Sequence, residues 1–296
     1  MSVVIQTTNL TKSYGKNRGI SDVNISVNAG EVYGFIGPNG AGKSTMIKTL
    51  LNLLFPTGGS ATVFGQDCVK DSRQIKTQTA YVPCEVNYYD ELTVQALLDY
   101  SDSFYAQADK AYTQGWMQRF ELEPKKKIRE LSSGNKKKVA LVAALAARPR
   151  LLILDEPTNG LDPLMRQTLF DALREQQAAG CTVFLSSHNL DEVQSLCDRV
   201  AIIREGKIID VKTLGELSSE KAKKVTVVGT ALPEQFNSDA YKIVSHSRNH
   251  IVFTYHSTDM GALLRQLQAM NADDFLVEDI KLSDIFMSYY NEGGAV

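Results

Sequence analysis

The chain has 296 residues, 43% hydrophobic and 22% charged, which excludes disorder and leaves ample length for one large domain or two smaller ones. Lys+Arg 32 against Asp+Glu 34 give a formal charge of -2, so no bulk positive charge is available to hold a nucleic-acid backbone by counterion release. The longest apolar run, residues 139–147, is about half of what a helix needs to span a bilayer, and the opening MSVVIQTTNL lacks the pattern of a secretory signal.

Short β-rich runs alternate with helical stretches as far as residue 217, the pattern of a largely parallel sheet covered by helices, so the class is α/β. Strands are predicted at 3–10, 23–27 and 32–36, a helix follows Lys43, and a strand at 80–82 precedes a helix over 94–105. A helix over 135–147, a strand at 151–154, a helix over 163–179, a strand at 182–186, a helix over 190–197 and a strand at 199–204 complete the unit. The runs 151–154 and 183–185 are apolar throughout, as strands buried on both faces are. The polar stretch SSEKAKK at 218–224 reads as a linker between a domain over 1–217 and a small α+β module over 225–296. In the module, strands are expected at 225–228, 241–244, 251–255 and 275–277, with helices over 261–270 and 282–290. Cys68, Cys84, Cys181 and Cys197 form no CxxC pair and read as free thiols.

Two segments carry chemistry in their own right. Gly37-Pro38-Asn39-Gly40-Ala41-Gly42-Lys43-Ser44-Thr45 fits GxxxxGK[ST] between a predicted strand and a predicted helix. Glycines let backbone N–H groups curl around a phosphate, and the helix N-terminus adds its positive dipole end. Lys43 is expected to reach the β- and γ-phosphates of a nucleotide, and the Ser44 hydroxyl to ligate Mg²⁺. The apolar strand 151–154 then delivers Asp155 and Glu156 to its C-terminal end, where ligands bind in open α/β sheets. Asp155 is expected to hold Mg²⁺. Side chains alternate along a strand, so Glu156 points another way, as a general base for water attacking the γ-phosphate.

Further elements follow in a fixed order. Leu131-Ser132-Ser133-Gly134-Asn135 opens a helix before the carboxylate pair, Gly160-Leu161-Asp162 follows it, and His188 closes the next strand. Together these resemble the nucleotide-binding domain of the ATP-binding cassette (ABC) family over roughly residues 3 to 217. The resemblance implies a P-loop NTPase fold with a helical subdomain, binding ATP with Mg²⁺. By matching position, Tyr14 resembles the aromatic on which adenine stacks, Asp162 the residue linking two active sites across a dimer, and His188 the switch at the γ-phosphate. Ser132, the Gly134 backbone and the helix N-terminus form an anion site, which the family uses for the ATP of a partner chain. Taken alone, LSSGN reads as an ordinary helix cap.

This chain departs from the family pattern twice. Ser133 and Asn135 stand where the usual LSGGQ has glycine and glutamine, and Cys84 stands where a glutamine usually senses Mg²⁺ and the membrane partner. A soft thiol is a poor ligand for Mg²⁺, so either Glu85 takes over the contact or the contact is absent.

The aromatic stretch with Tyr88, Tyr89, Tyr100, Phe104 and Tyr105 suits either a groove for a permease's coupling helix or a helical-subdomain core. The lysine runs 125–127 and 136–138 read as solvated helix faces, and His246, His250 and His256 as surface residues. The wording around the motifs looks most like the bacterial exporter branch. That implies an ATPase subunit driving a separate transmembrane permease, dimerised with a second ABC domain, a second copy of this chain by preference, with no nucleic acid as partner. It would lie in the cytoplasm, on the inner face of the membrane through the permease, with the C-terminal module as a dimerisation or regulatory appendage. A soluble ABC ATPase of translation or DNA repair is the alternative.

Overall fold

Strand β4 (Val32–Ile36) is buried at every position, and it owes this to its place inside a sheet rather than at an edge. The sheet also contains β7 (Thr79–Val82), β8 (Leu151–Asp155), β9 (Thr182–Ser187), β10 (Arg199–Arg204) and β11 (Lys207–Thr213), in the order β11-β10-β4-β9-β8-β7. From β10 to β7 every pairing is parallel, with Ile36 opposite Ser187 and Asp155 opposite Ser186. The apolar runs of β8 and β9 are buried on both faces, as their composition requires.

The computed structural model describes residues 2–15, 17–105, 108–215, 223–229, 240–257, 259–270 and 272–280. It divides into two compact units, Met1–Lys212 and Thr213–Val296. The division falls before residue 217 because the chain leaves the parallel sheet at the end of β11.

A second, antiparallel sheet lies N-terminal in the first unit. β1 (Val3–Tyr14) pairs with β2 (Asn17–Val23), β3 (Ser26–Asn28) and β5 (Gly58–Val63), and β6 (Gln66–Asp67) extends the edge. The single strand expected at 23–27 is instead a break between β2 and β3. Thr7 causes it: its hydroxyl donates to Val23 O (2.9 Å) and accepts from Ile25 N (2.9 Å), taking over the bonds of a continuous ladder. Asn24 adds bonds to Asp22 O and Asn9.

The helices of this unit are α1 (Lys43–Leu50), α2 (Ser72–Lys76), α3 (Val94–Asp102), α4 (Lys110–Arg119), α5 (Ser133–Ala146), α6 (Pro163–Ala178) and α7 (Leu190–Leu196). Tyr33, Phe35, Leu151, Ile153, Phe184, Ala201 and Ile203 face one side of the parallel sheet and merge with Met46, Ile47 and Leu50 of α1 and with the antiparallel sheet into one core. Phe184 is its centre, stacked on Tyr33 at 5.9 Å and tilted against Phe35 at 5.6 Å. Helix α4 lacks a periodic apolar face and carries Gly115, yet it forms, because Asp109 accepts from the N–H groups of Ala111 and Tyr112 and Trp116 is buried.

In the second unit, β12 (Lys223–Val228), β13 (Tyr241–Ser247), β14 (His250–Tyr255) and β15 (Asp274–Asp279) form an antiparallel sheet in the order β13-β14-β12-β15. Residues 223–224 of the expected linker belong to β12, since its pairing with both neighbours starts at Lys223. Helix α8 (Met260–Ala269), capped by Asp259, places Leu263 and Leu267 on Val225, Val227, Ile251, Phe253 and Tyr255. The helix expected over 282–290 lies outside the described residues.

Truncating Phe184 leaves a void that the rings of Tyr33 and Phe35 beside it cannot refill. Phe184→Ala should therefore cost about 3–5 kcal/mol in the first unit, read as a lowered denaturant midpoint for its unfolding transition.

Candidate active site

Adjacent parallel strands stand about 4.8 Å apart, so whatever the ends of β4, β9 and β8 carry must meet. The end of β4 carries the phosphate loop, that of β9 Ser186, Ser187 and His188, and that of β8 Asp155 and Glu156. The loop is tied to β9 directly, because Gly37 N donates to Ser187 O at 3.4 Å.

The glycines of the loop have distinct reasons. Gly40 has φ +79° and nothing around its missing side chain, leaving an open backbone face. Gly37 is required by close approach, since a Cβ there would stand 2.4 Å from Ile203 O. The Lys43 ammonium is buried, donating to Gly37 O (2.7 Å) and Pro38 O (3.2 Å) and lying 3.0 Å from Glu156 Oε1.

Glu156 is the hub of the cluster. It sits at φ +49°, a left-handed conformation that turns its carboxylate out of the line of β8, at a cost of about 1–3 kcal/mol for a residue with a side chain. Its other oxygen, Oε2, lies 2.8 Å from Nδ1 of His188. One buried carboxylate thus bridges the loop lysine and the strand-end histidine. The geometry depends on Ser186, whose hydroxyl donates to Asp155 Oδ1 (2.6 Å) and accepts from Glu156 N (3.1 Å). In the sequence only a hydroxyl pair closing an otherwise apolar strand marks Ser186.

Behind the histidine, Thr158 donates to Glu192 Oε2 (2.7 Å), and Arg166 reaches Glu192 Oε1 (3.4 Å) and Leu161 O (3.0 Å). Helix α7 and the loop after Glu156 are thereby held together.

Leu131 to Asn135, the signature segment of the family pattern, stand at the start of α5, and Asp162 and Tyr14 lie at the start of α6 and the end of β1. Ser132 caps α5, accepting from Asn135 N at 3.3 Å, and Ser132 and Ser133 are exposed. Leu131 and Asn135 are half-buried beside them. Gly134 has a packing reason as well: a Cβ there would meet Gly160 O at 2.4 Å, so this turn lies against the loop that follows Glu156. Asp162 caps α6 and accepts from Met165 N (2.9 Å), a bond that holds its carboxyl below the usual range. Tyr14, 41% exposed, ends β1 with the Lys12 ammonium 5.4 Å from its ring centre.

Cys84 and Glu85 are both exposed, and Cys84 lies in the field of the site: desolvation and then the charge of Asp155 push its thiol up. Tyr81 on β7 is pushed up to about 12 by burial and by Asp155.

The lysine run 136–138 is not a solvated face. Lys137 is 2% and Lys138 8% exposed. Lys137 donates to Pro83 O (2.8 Å), Cys84 O (2.9 Å) and Asp155 O (3.4 Å), and burial holds it below the ordinary lysine range. The helix turns this position inward because α5 packs on β7 and α3, and three carbonyls then replace the water around its charge.

These residues fit a nucleotide and a hard divalent cation. The open glycine face and buried ammonium suit phosphate, while the Ser44 hydroxyl and the Asp155 carboxylate are oxygen ligands of the kind Mg²⁺ takes alongside substrate phosphates. A parallel sheet presenting a glycine cradle and a carboxylate pair at one rim is the architecture of a P-loop nucleotide hydrolase.

Comparison with known proteins narrows the class. Residues 20–159 match the family model described as ABC transporter. The Nod factor export ATP-binding protein I of Burkholderia orbicola is 33% identical over 287 residues, 94% of each chain, and the bacitracin transport ATP-binding protein BcrA of Bacillus licheniformis is 36% identical over 229 residues, 75% of this chain and 74% of that one. A solved ATP-binding subunit of an ABC transporter superposes with a TM-score of 0.67 at 31% identity, over 72% of this chain and 91% of the other. The chain belongs to the ATP-binding proteins of the ABC transporter family, and it is an ATPase.

The contact at Gly37 is with backbone and cannot relax by rotating a side chain. Gly37→Ala should displace the loop from β10 and weaken binding of a fluorescent ATP analogue by more than about tenfold, since a misplacement of about 1 Å is costly in such sites.

Proposed function

We propose that this chain is the energy-coupling subunit of an exporter: two copies meet head to tail, enclose two ATP molecules and drive a separate transmembrane permease. The observation that carries the head-to-tail arrangement is the start of α5. It is a solvent-facing helix N-terminus, capped by Ser132, with no acidic side chain in its first turn to neutralise its dipole. Such an end attracts a phosphate, and the phosphate of a second chain's nucleotide is the ligand it suits. Export as the direction is supported by the Nod factor relative, which aligns along 94% of this chain and so includes most of the C-terminal module.

In this reading Tyr14 stacks on the adenine, residues 37–45 wrap the phosphates and Lys43 neutralises them. Ser44 and Asp155 would hold Mg²⁺, whose chemistry when bound is to spread the charge of the β- and γ-phosphates. Glu156 takes the proton of the attacking water, and His188, 2.8 Å from it, orients the carboxylate. Leu131 to Asn135 and Asp162 act toward the partner chain. Glu85 remains the candidate for the contact usually made by glutamine at the Cys84 position.

The aromatic stretch after Pro83 splits between its two readings. Val94, Leu97 and Leu98 are buried in the helical subdomain, whereas Tyr89, Tyr100 and Phe104 are exposed. Phe104 and Tyr105 line a groove of about 600 Å³ with Val69, Lys70, Arg73 and Lys76. Its aromatic wall and its three cations suit a cytoplasmic helix of the permease with an acidic flank. Among the described residues no helix is long and apolar enough to cross a membrane, and this groove is the proposed attachment.

Two experiments bear on this. Glu156→Gln should keep ATP binding, lower hydrolysis by about 10²–10⁴-fold and elute as a dimer in ATP and Mg²⁺; wild-type turnover in this variant would remove the general base from the mechanism. Arg73→Glu and Phe104→Ala should leave the ATPase rate of the isolated chain within about twofold but deplete the hydrophobic polypeptide that copurifies from membranes. Recovery of that polypeptide at wild-type levels would place the interface elsewhere.

A further inference from the structure

Lys137 is a buried cation that the hydrolytic scheme leaves unused. Its ammonium reaches two segments far apart in sequence, the turn after β7 through Pro83 O and Cys84 O, and the end of β8 through Asp155 O. It stands one turn into α5, which begins at the exposed Ser133 and is capped by the exposed Ser132. On another side of that turn, Gly134 lies against Gly160, in the loop that leads from Glu156 to Asp162.

A buried ammonium without acceptors is expensive, so its three carbonyls and its helix are held to one another. An apolar side chain of the same length would fill the space without tying anything. A short donor would keep the tie and lose the charge.

We propose that Lys137 is a positioning residue for hydrolysis, fastening the signature helix to the Cys84 turn and to the Asp155 end of β8 in its own chain. Its place on α5 means that what docks on Ser132 and Ser133 is mechanically joined to the floor of the site a few residues away. This rests on the ATPase reading and adds to it a residue whose ammonium is bonded to three backbone carbonyls.

The chain contains its own reporter. Cys84 is exposed, whereas Cys68, Cys181 and Cys197 are buried, so mild alkylation followed by mass spectrometry reads the Cys84 turn separately from the rest of the fold. Lys137→Met and Lys137→Gln both remove the charge that draws the Cys84 thiol toward ionisation, so their difference isolates the tie. Lys137→Met should label at Cys84 about fivefold faster than Lys137→Gln, with the three buried cysteines protected in both. In steady-state kinetics of the full chain, Lys137→Met should lose about tenfold in kcat with KM for ATP within twofold, and Lys137→Gln should keep at least half the wild-type kcat.

Equal Cys84 labelling in the two variants, or equal kcat in Lys137→Met and wild type, would overturn the proposal. Labelling of all four cysteines in Lys137→Met, with Lys137→Gln no better, would overturn it too, by reducing Lys137 to a residue that only stabilises the fold. An inactive wild type would instead count against the ATPase assignment, and the labelling difference would still decide the role of Lys137.

Discussion

The site depends on β9 lying between β4 and β8. The chain builds β4 and β8 more than a hundred residues apart, and neither touches the other in the sheet. The strand inserted between them ends in two hydroxyls and a histidine, and Ser186 hydrogen-bonds both to the Asp155 side chain and to the Glu156 backbone. The distance between the glycine loop on one side and the carboxylate pair on the other is set by that strand spacing. The burial of β9 on both faces therefore fixes the cluster at its end as well as the sheet.

Around this strand the elements fall into two kinds of attachment. The loop and the carboxylates hang on the sheet, while the signature helix and the histidine's helix are tied by side chains: Lys137 in one case, the Thr158–Glu192–Arg166 network in the other. Strands are held by a whole ladder and by burial, whereas each of these ties is three hydrogen bonds, several of them to charged groups and worth about 1.5–3 kcal/mol each.

The phosphate loop and the carboxylate pair were legible in the sequence because each is contiguous and each ends an apolar strand. The buried strands β4, β8 and β9 were legible for the same reason. What escaped was held by bonds with no periodicity. The break between β2 and β3 comes from the Thr7 hydroxyl, α4 from an Asp109 cap and a buried Trp116, and β5, GGSATV, is rich in glycine and small polar residues. The three consecutive lysines of α5 misled for a plain reason: charge implies solvent unless carbonyls from elsewhere in the chain converge on it, and Pro83 and Asp155 lie 54 and 18 residues away. Cys84 shows the converse, a departure visible at once in the sequence whose surroundings only the fold supplies.

The backbone of Glu156 carries a consequence for how this chain can be improved. A left-handed residue at a strand end is a place where glycine or asparagine would relax the main chain, and selection for thermal robustness alone would favour either. Both would discard the carboxylate that bridges Lys43 and His188. Backbone comfort and the side-chain bridge pull against each other at this one position, so thermostabilised descendants of this chain are best sought through substitutions remote from residue 156.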